Sequence, residues 1–449
     1  MGRRIGLGLV LFVAVMLTAC TRGGGGNGGV ELPPLTPFSA DLASQLESLA
    51  DQAADARELD VNDEIEQGSL TRQQLQAYYF ESTADITDED LADFEAFNTA
   101  YRLLGMIGPD DDLVDIITTF YGGDTLGFYD PDENKMVLVA DAPSELSALD
   151  ESVLVHEYVH SSQDLRFDLN KLGELADQEE EDRANTEYRE TIEALVEGDA
   201  TFAEGLYVFN RDDEGGFDEF DNDPGSAAEG PPIPPAFQRY FSFPYQYGGD
   251  FVGYLYQQGG WDEVNRAWED PPRTEEQIMH PSKYTQGEEA IALKSEDYSG
   301  DLGSGWREQT DALFGEFDVY NWLYANTNED SASARAADGW GGGRIRLYSN
   351  DDAEGHVLLQ ISLFWDSSDE ARDFYQLFGD VVRRIDDTPD VLDPSGQIVS
   401  WQSADQTGRA WIQNKSFSMV IATHGEDLPQ ALDVFEEPGQ IAPSDVILP

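Results

Sequence analysis

Cysteine is nearly absent. The 449 residues contain one, Cys20. No disulfide can close within the chain, so packing and any bound metal must hold the fold. Lysine is almost as scarce, with five residues, Lys135, Lys171, Lys283, Lys294 and Lys415. Lys and Arg together number 26 against 90 Asp and Glu, a formal net charge of −64. A surface of that sign repels phosphates, which excludes nucleic acid as a partner and anionic headgroups as a docking surface. Long apolar runs are missing apart from Ile5 to Leu17, which is too short for a comfortable membrane span. Disorder is excluded in turn, because 40% of the chain is hydrophobic, enough for a substantial core.

The acidic residues are spread along the whole chain instead of gathering in one tail. A uniform excess predicts adaptation of the surface to high salt, where screening removes the self-repulsion. Arg3 and Arg4, the apolar run behind them and Leu17-Thr18-Ala19-Cys20 predict a signal peptide over 1–19. The last four residues resemble the lipobox of prokaryotic lipoproteins, which makes Cys20 the expected lipidation site. Residues 20–37 are rich in Gly, then Pro, and predict a tether between membrane anchor and folded body. The expected location is the extracytoplasmic face of the cell membrane.

Apolar spacing predicts helices over 40–59, 70–80, 88–104 and 113–121. Two short β-prone runs, 124–129 and 136–140, flank Asp130-Pro131-Asp132-Glu133-Asn134 and predict a β-hairpin. Helical spacing returns over 149–167, 183–209 and 247–268, with a charged loop expected at 177–182 and an exposed loop at 212–235. Beyond Gly339-Trp340-Gly341-Gly342-Gly343, a β-β-α-β-β-β-α order predicts a small α+β domain over 336–449. The expected fold is α+β: a mainly helical body over 38–335 with a small hairpin sheet, followed by that domain.

Residues 156 to 160 read His-Glu-Tyr-Val-His. Residues four apart share a helix face about 5–6 Å apart at Cβ, so two imidazoles can hold one Zn²⁺. The intervening Glu157 can take a proton from a water at that ion. Only five His occur in the chain, and two of them at metal spacing around a Glu argue against accident. A catalytic zinc wants a third protein donor and one open position. Glu193 and Glu197, four apart in the following helix, both qualify, and spacing does not choose between them. Asp164 and Asp199 are weaker candidates for carboxylates behind the imidazoles.

Three segments together resemble peptidases of the gluzincin (peptidase MA) clan. They are Gly127-Phe128-Tyr129-Asp130-Pro131, then His156 to His160 with Gln163-Asp164, then Ala194-Leu195-Val196-Glu197-Gly198-Asp199-Ala200. The likeness continues through Gln277-Ile278-Met279-His280-Pro281-Ser282-Lys283-Tyr284 and spans roughly 120–290, with a zincin-like catalytic fold as its implication. It implies Glu197 as the third zinc ligand and a peptide or protein substrate. It also implies an oxyanion-stabilising His or Tyr from a downstream element, for which His280 and Tyr284 are the expected residues. The alternative is a zinc-binding surface lipoprotein without turnover. Glu157 speaks against it, since a structural zinc site needs no base and closes all four positions.

Overall fold

The computed structural model describes residues 32–449 except 63, 83–87, 184, 186, 212–231, 294, 387–389, 392–395, 436–445 and 448–449. The signal peptide, Cys20 and most of the exposed loop at 212–235 lie outside the described residues. Among the described residues no helix is long and apolar enough to cross a membrane.

The protein is α+β and mainly helical. Its first half runs β1 (Thr36–Pro37), α1 (Ala43–Arg57), β2 (Glu66–Leu70), α2 (Arg72–Ser82), α3 (Asp88–Leu103), α4 (Leu113–Asp124), β3 (Gly127–Asp130), β4 (Lys135–Val139), α5 (Ala148–Phe167), α6 (Leu169–Arg183) and α7 (Tyr188–Asn210). Then come α8 (Pro235–Gly259), α9 (Trp261–Glu269) and two short helices, α10 (Glu275–Met279) and α11 (Pro281–Gln286). The hairpin forms where turn chemistry predicts it: Asp130 accepts the backbone N–H groups of Asp132 and Glu133 at 2.9 and 3.0 Å.

Two expectations are corrected, and one strand is added to them. The charged segment 177–182 is helix, part of α6, because Leu169, Leu172 and Ala176 give it a buried stripe and Glu, Gln and Arg favour helix. The end of the expected tether is bound to the body: Thr36 and Pro37 pair with β2, and Leu32 is buried beside Leu70 and Val137. And β2 itself, Glu-Gln-Gly-Ser-Leu, has no strand signal of its own; it exists because it pairs in parallel with β4. The resulting sheet has the order β1-β2-β4-β3, which leaves β3 at an edge.

The second half carries a seven-stranded antiparallel sheet, order β6-β7-β8-β12-β11-β10-β9. Here β5 is Ala292–Leu293, α12 Ser299–Leu302, β6 Trp306–Leu313, α13 Glu316–Thr327, α14 Asp330–Ala337, β7 Trp340–Asn350, β8 Val357–Trp365 and α15 Ser368–Ile385. They are followed by β9 (Asp390–Val391), β10 (Ile398–Gln402), β11 (Thr407–Gln413), β12 (Ser416–Ala422), α16 (Leu428–Phe435) and β13 (Val446–Ile447), the last pairing with β5. The expected boundary at 335/336 separates β6 from its own sheet. Among the described residues the largest apolar core cluster includes side chains from Leu42 to Ile421, beside two smaller clusters. The carbonyl of Leu104, at the end of α3, accepts from Trp322 Nε1 at 3.1 Å and Asn326 Nδ2 at 2.9 Å on α13.

Candidate metal centre

Helix α5 starts on a capping box, in which Ser147 and Asp150 exchange side-chain and backbone hydrogen bonds. Its centre is buried, and Leu154, Val155, Tyr158 and Val159 fix which face points inward. His156, Glu157 and His160 are carried in with them and are all buried. Helix α7 crosses behind and supplies Glu197.

Three donor atoms meet between the helices. His156 Nε2 and His160 Nε2 are 3.0 Å apart. Glu197 Oε2 lies 3.2 Å from the first and 3.3 Å from the second. Three donors on a tetrahedral ion at ~2.0–2.1 Å stand about 3.3 Å from one another, so the triangle has the right size for zinc. The two imidazoles meet at 79°, so their in-plane lone pairs converge.

The far sides of the rings fix what the near sides can do. Gln163 donates its Nε2–H to the Val196 carbonyl at 3.0 Å. A carbonyl only accepts, so the other end of that amide is oxygen, and it lies 2.8 Å from His160 Nδ1. His160 therefore carries its proton on Nδ1. His156 Nδ1 points at the Glu204 carboxylate at 3.2 Å, and Ser152 donates to the other oxygen of that carboxylate. With both protons on Nδ1, both Nε2 atoms present lone pairs to each other and to a carboxylate oxygen. That arrangement is repulsive unless a cation sits among them, and it is the usual support of metal-binding imidazoles.

The local field agrees. Without an ion, protons take its place: burial would raise the Glu197 carboxyl, but a charged His160 and hydrogen bonds from His156 and His160 then hold it well below the ordinary range. Burial would lower His156, and Glu197 and Glu204 outweigh it and raise it. The same negative potential that draws protons to these rings draws a metal cation.

Glu157 follows His156 on α5, and the charges of His156, His160 and Glu197 act on its carboxyl. It is 5% exposed, and its Oε2 meets no hydrogen-bond partner. Burial, the largest influence, raises its carboxyl above the ordinary value. Beside it runs the edge strand β3. A Cβ at Gly127 would fall 2.5 Å from Val153 and 3.5 Å from Glu157 Cγ, so only glycine brings the strand this close.

Helix α8 closes the other side. It touches α7 backbone to backbone: a Cβ on Gly248 would stand 2.0 Å from the Ala194 carbonyl oxygen, and one on Gly198 would stand 2.2 Å from the Gly248 carbonyl carbon. This contact sets Tyr245 over the site, its ring centroid 6.2 Å from that of His156. The residue is 44% exposed, yet its hydroxyl end is crowded. Burial, then the nearby Glu197, Tyr121, Glu193 and Glu157, raise the phenol well above its usual value, so it keeps its proton and can donate it.

The other predicted residues have hydrogen-bond partners of their own. His280 Nε2 is 2.8 Å from Glu316 Oε1, and Tyr284 donates to the Asp270 carbonyl at 2.7 Å. Among the described residues neither hydrogen-bonds to the triangle. Asp199 receives Arg57 at 2.5 and 2.8 Å and Trp268 at 2.8 Å. Asp164 receives Tyr129 at 2.9 Å. The carboxylate behind His156 is Glu204 instead, seven residues after Glu197 and hence on the same helix face, a spacing signal the sequence does contain.

Three further clusters of possible ligands fit a metal less well. Lys283 Nζ already sits among Glu276, Glu288 and Asp366 at 2.5, 2.8 and 2.9 Å. His356 and His424 stack in parallel, 3.8 Å apart at 1°, so their lone pairs do not converge. Around His280, Asp338 is 3.9 Å away and mostly exposed.

A family described as a domain of unknown function (DUF8575) matches residues 303–433, the region of the seven-stranded sheet. No curated protein and no solved structure matches the chain.

Proposed function

We propose that this chain is a zinc-dependent peptidase of the gluzincin type, anchored by lipid on Cys20 outside the cytoplasm. The observation that supports it most is the convergence of three donors whose rear hydrogen bonds leave them nothing but a cation to face, with an unpartnered buried carboxylate alongside. His156, His160 and Glu197 would hold the metal, and Glu197 rather than Glu193 supplies the third donor because it alone reaches both imidazoles.

Held by His156, His160 and Glu197, zinc would supply a bound water acidic near pH 7 and a Lewis acid for the carbonyl to be attacked. Glu157 accepts the proton of the attacking water at Oε2 and returns it to the leaving nitrogen. The Tyr245 hydroxyl donates to the carbonyl oxygen as negative charge builds there. The free edge of β3 offers N–H and C=O groups to an extended peptide, holding it against Glu157.

The test is cleavage of a diverse peptide library by the purified mature chain in high salt, with zinc content measured alongside. Wild type should carry about one zinc and cleave. Glu157→Gln should keep the metal and lose turnover. Zinc with no cleavage under any condition would leave a metal-binding lipoprotein, and no zinc after reconstitution would remove the reading altogether.

A further inference from the structure

The pairing of β3 with β4 decides which way the backbone of β3 turns. The N–H of Val139 donates to the Leu126 carbonyl at 2.8 Å, and Gly127 stands opposite Leu138. Along an antiparallel ladder, residues that exchange hydrogen bonds alternate with residues that do not. Leu126 and Phe128 therefore bond toward β4, and Gly127 turns its N–H and C=O to the outer edge, beside Glu157.

The same alternation puts the side-chain positions of Gly127 and Tyr129 on one face of the sheet, and that face lies on α5. Gly127 meets Val153 and Glu157. The Tyr129 ring is buried, and its hydroxyl reaches Asp164 Oδ2 at 2.9 Å. Glu157 and Asp164 are seven residues apart, two turns and about 10 Å along one face of α5. The strand thus runs along the metal helix, pressed against it at one end and hydrogen-bonded to it at the other.

The phenol has one proton and two acceptors within reach. Asn134 Oδ1, at 3.1 Å, already receives Asn62 Nδ2 at 3.0 Å. Asp164 Oδ2 is nearer and is a carboxylate oxygen, which makes it the stronger acceptor. Burial, then the charge of Asp164, raise the phenol well above its usual value, so it stays a donor. Asp164 is fixed in turn, since its Oδ1 accepts the Leu169 N–H at 3.1 Å.

We propose that the Tyr129–Asp164 hydrogen bond positions the substrate. By fixing β3 along α5, it sets the height at which a peptide paired with Gly127 presents its scissile carbonyl to Glu157 and the metal. This rests on the peptidase reading. Tyr129 is a positioning residue, because its side chain faces α5 and not the peptide. A displaced strand still binds peptide but aligns it poorly, and a misplacement of ~1 Å can cost ~10²-fold in rate.

The experiment uses the zinc-loaded mature chain, a quenched fluorescent peptide that it cleaves, and variants of that peptide N-methylated at one backbone nitrogen at a time. The scissile nitrogen is left unmodified. Each methyl deletes one N–H and keeps every side chain. In wild type, the position that faces the Gly127 carbonyl should lose about tenfold or more in kcat/KM, and its immediate neighbours, whose N–H groups point away from β3, far less. Tyr129→Phe should keep its zinc and lower kcat on the parent peptide by about tenfold or more with KM little changed. It should also shrink the penalty at the sensitive position, because pairing with a displaced strand no longer aligns the bond. Asp164→Ala should act alike, and the double variant should lose no more than either single one. Normal kcat in Tyr129→Phe, a fall accompanied by zinc loss, an unchanged penalty, or a wild type with no sensitive position overturns the proposal and leaves the peptidase reading standing. No cleavage of any peptide by wild type overturns both.

Discussion

Glu204 is the residue whose replacement tests the metal centre most sharply, because it touches no metal. One of its oxygens faces His156 Nδ1 at 3.2 Å and the other receives Ser152. Glu204→Gln preserves size but has one acceptor oxygen for two donors. Either His156 loses its orienting partner or Ser152 does, and the negative charge that raises the basicity of His156 is gone in both cases. Loss of such a partner typically costs 10–100-fold in metal affinity. The side chain of Glu204 is 28% exposed, so water replaces part of what is lost, and the lower end applies: about tenfold, or ~1.4 kcal/mol. A competitive chelator titration reads this directly. Thermal unfolding gives a second reading, since the metal-dependent rise in Tm shrinks with affinity while the metal-free Tm stays put. Wild-type zinc affinity in Glu204→Gln would refute the tautomer argument on which the site rests. An equal fall in the metal-free Tm would show that Glu204 serves the fold instead.

Tyr245→Phe should reduce turnover by ~10²-fold with little change in KM and none in zinc content, while His280→Ala, whose ring is engaged by Glu316, should leave turnover near normal; steady-state kinetics of the two variants decide which side chain faces the oxyanion. Glu187 is buried close to Glu275, and burial raises its carboxyl well above the ordinary range. The folded state then holds a proton that the unfolded state releases, so this stability is present at acid pH and is lost as pH rises through the raised value, with a slope of at most about 1.4 kcal/mol per pH unit for one proton. Glu187→Gln keeps the acceptor for the Glu275 N–H and should flatten the fall in Tm from acid to neutral pH; parallel curves would refute it. Finally, Tm should rise from dilute buffer to molar KCl as screening relieves the self-repulsion of a chain at −64, and a flat or falling curve counts against adaptation to salt.

Much of the architecture follows from local pattern. Helices α15 and α16 stand where the expected β-β-α-β-β-β-α order puts its two helices, because each is amphipathic and carries its own signal. His156 and His160 are legible for the same reason, since i,i+4 geometry is local. What is not legible depends on distant chain. β2 exists through β4. Glu193 and Glu197 look alike until two imidazoles choose between them. Tyr245 reaches the centre only because α8 lies on α7, and Glu204 has a meaning only once His156 stands opposite it. The partner of His280, Glu316, comes from 36 residues further along the chain and has no local signal.

The backbone contact between Gly198 and Gly248 makes the site stiff in one particular direction. Where helices meet through side chains, rotamers absorb small displacements. Here two peptide planes abut, with nothing soft between them. Glu197 precedes one of these glycines, and Tyr245 stands one turn before the other. A force applied to Tyr245 by an entering ligand is delivered to the helix of Glu197 undamped, and thermal motion carries the phenol and the carboxylate together. The spacing between the Tyr245 phenol and the Glu197 carboxylate is thus governed like the gap of a rigid clamp, by the thickness of the backbone itself.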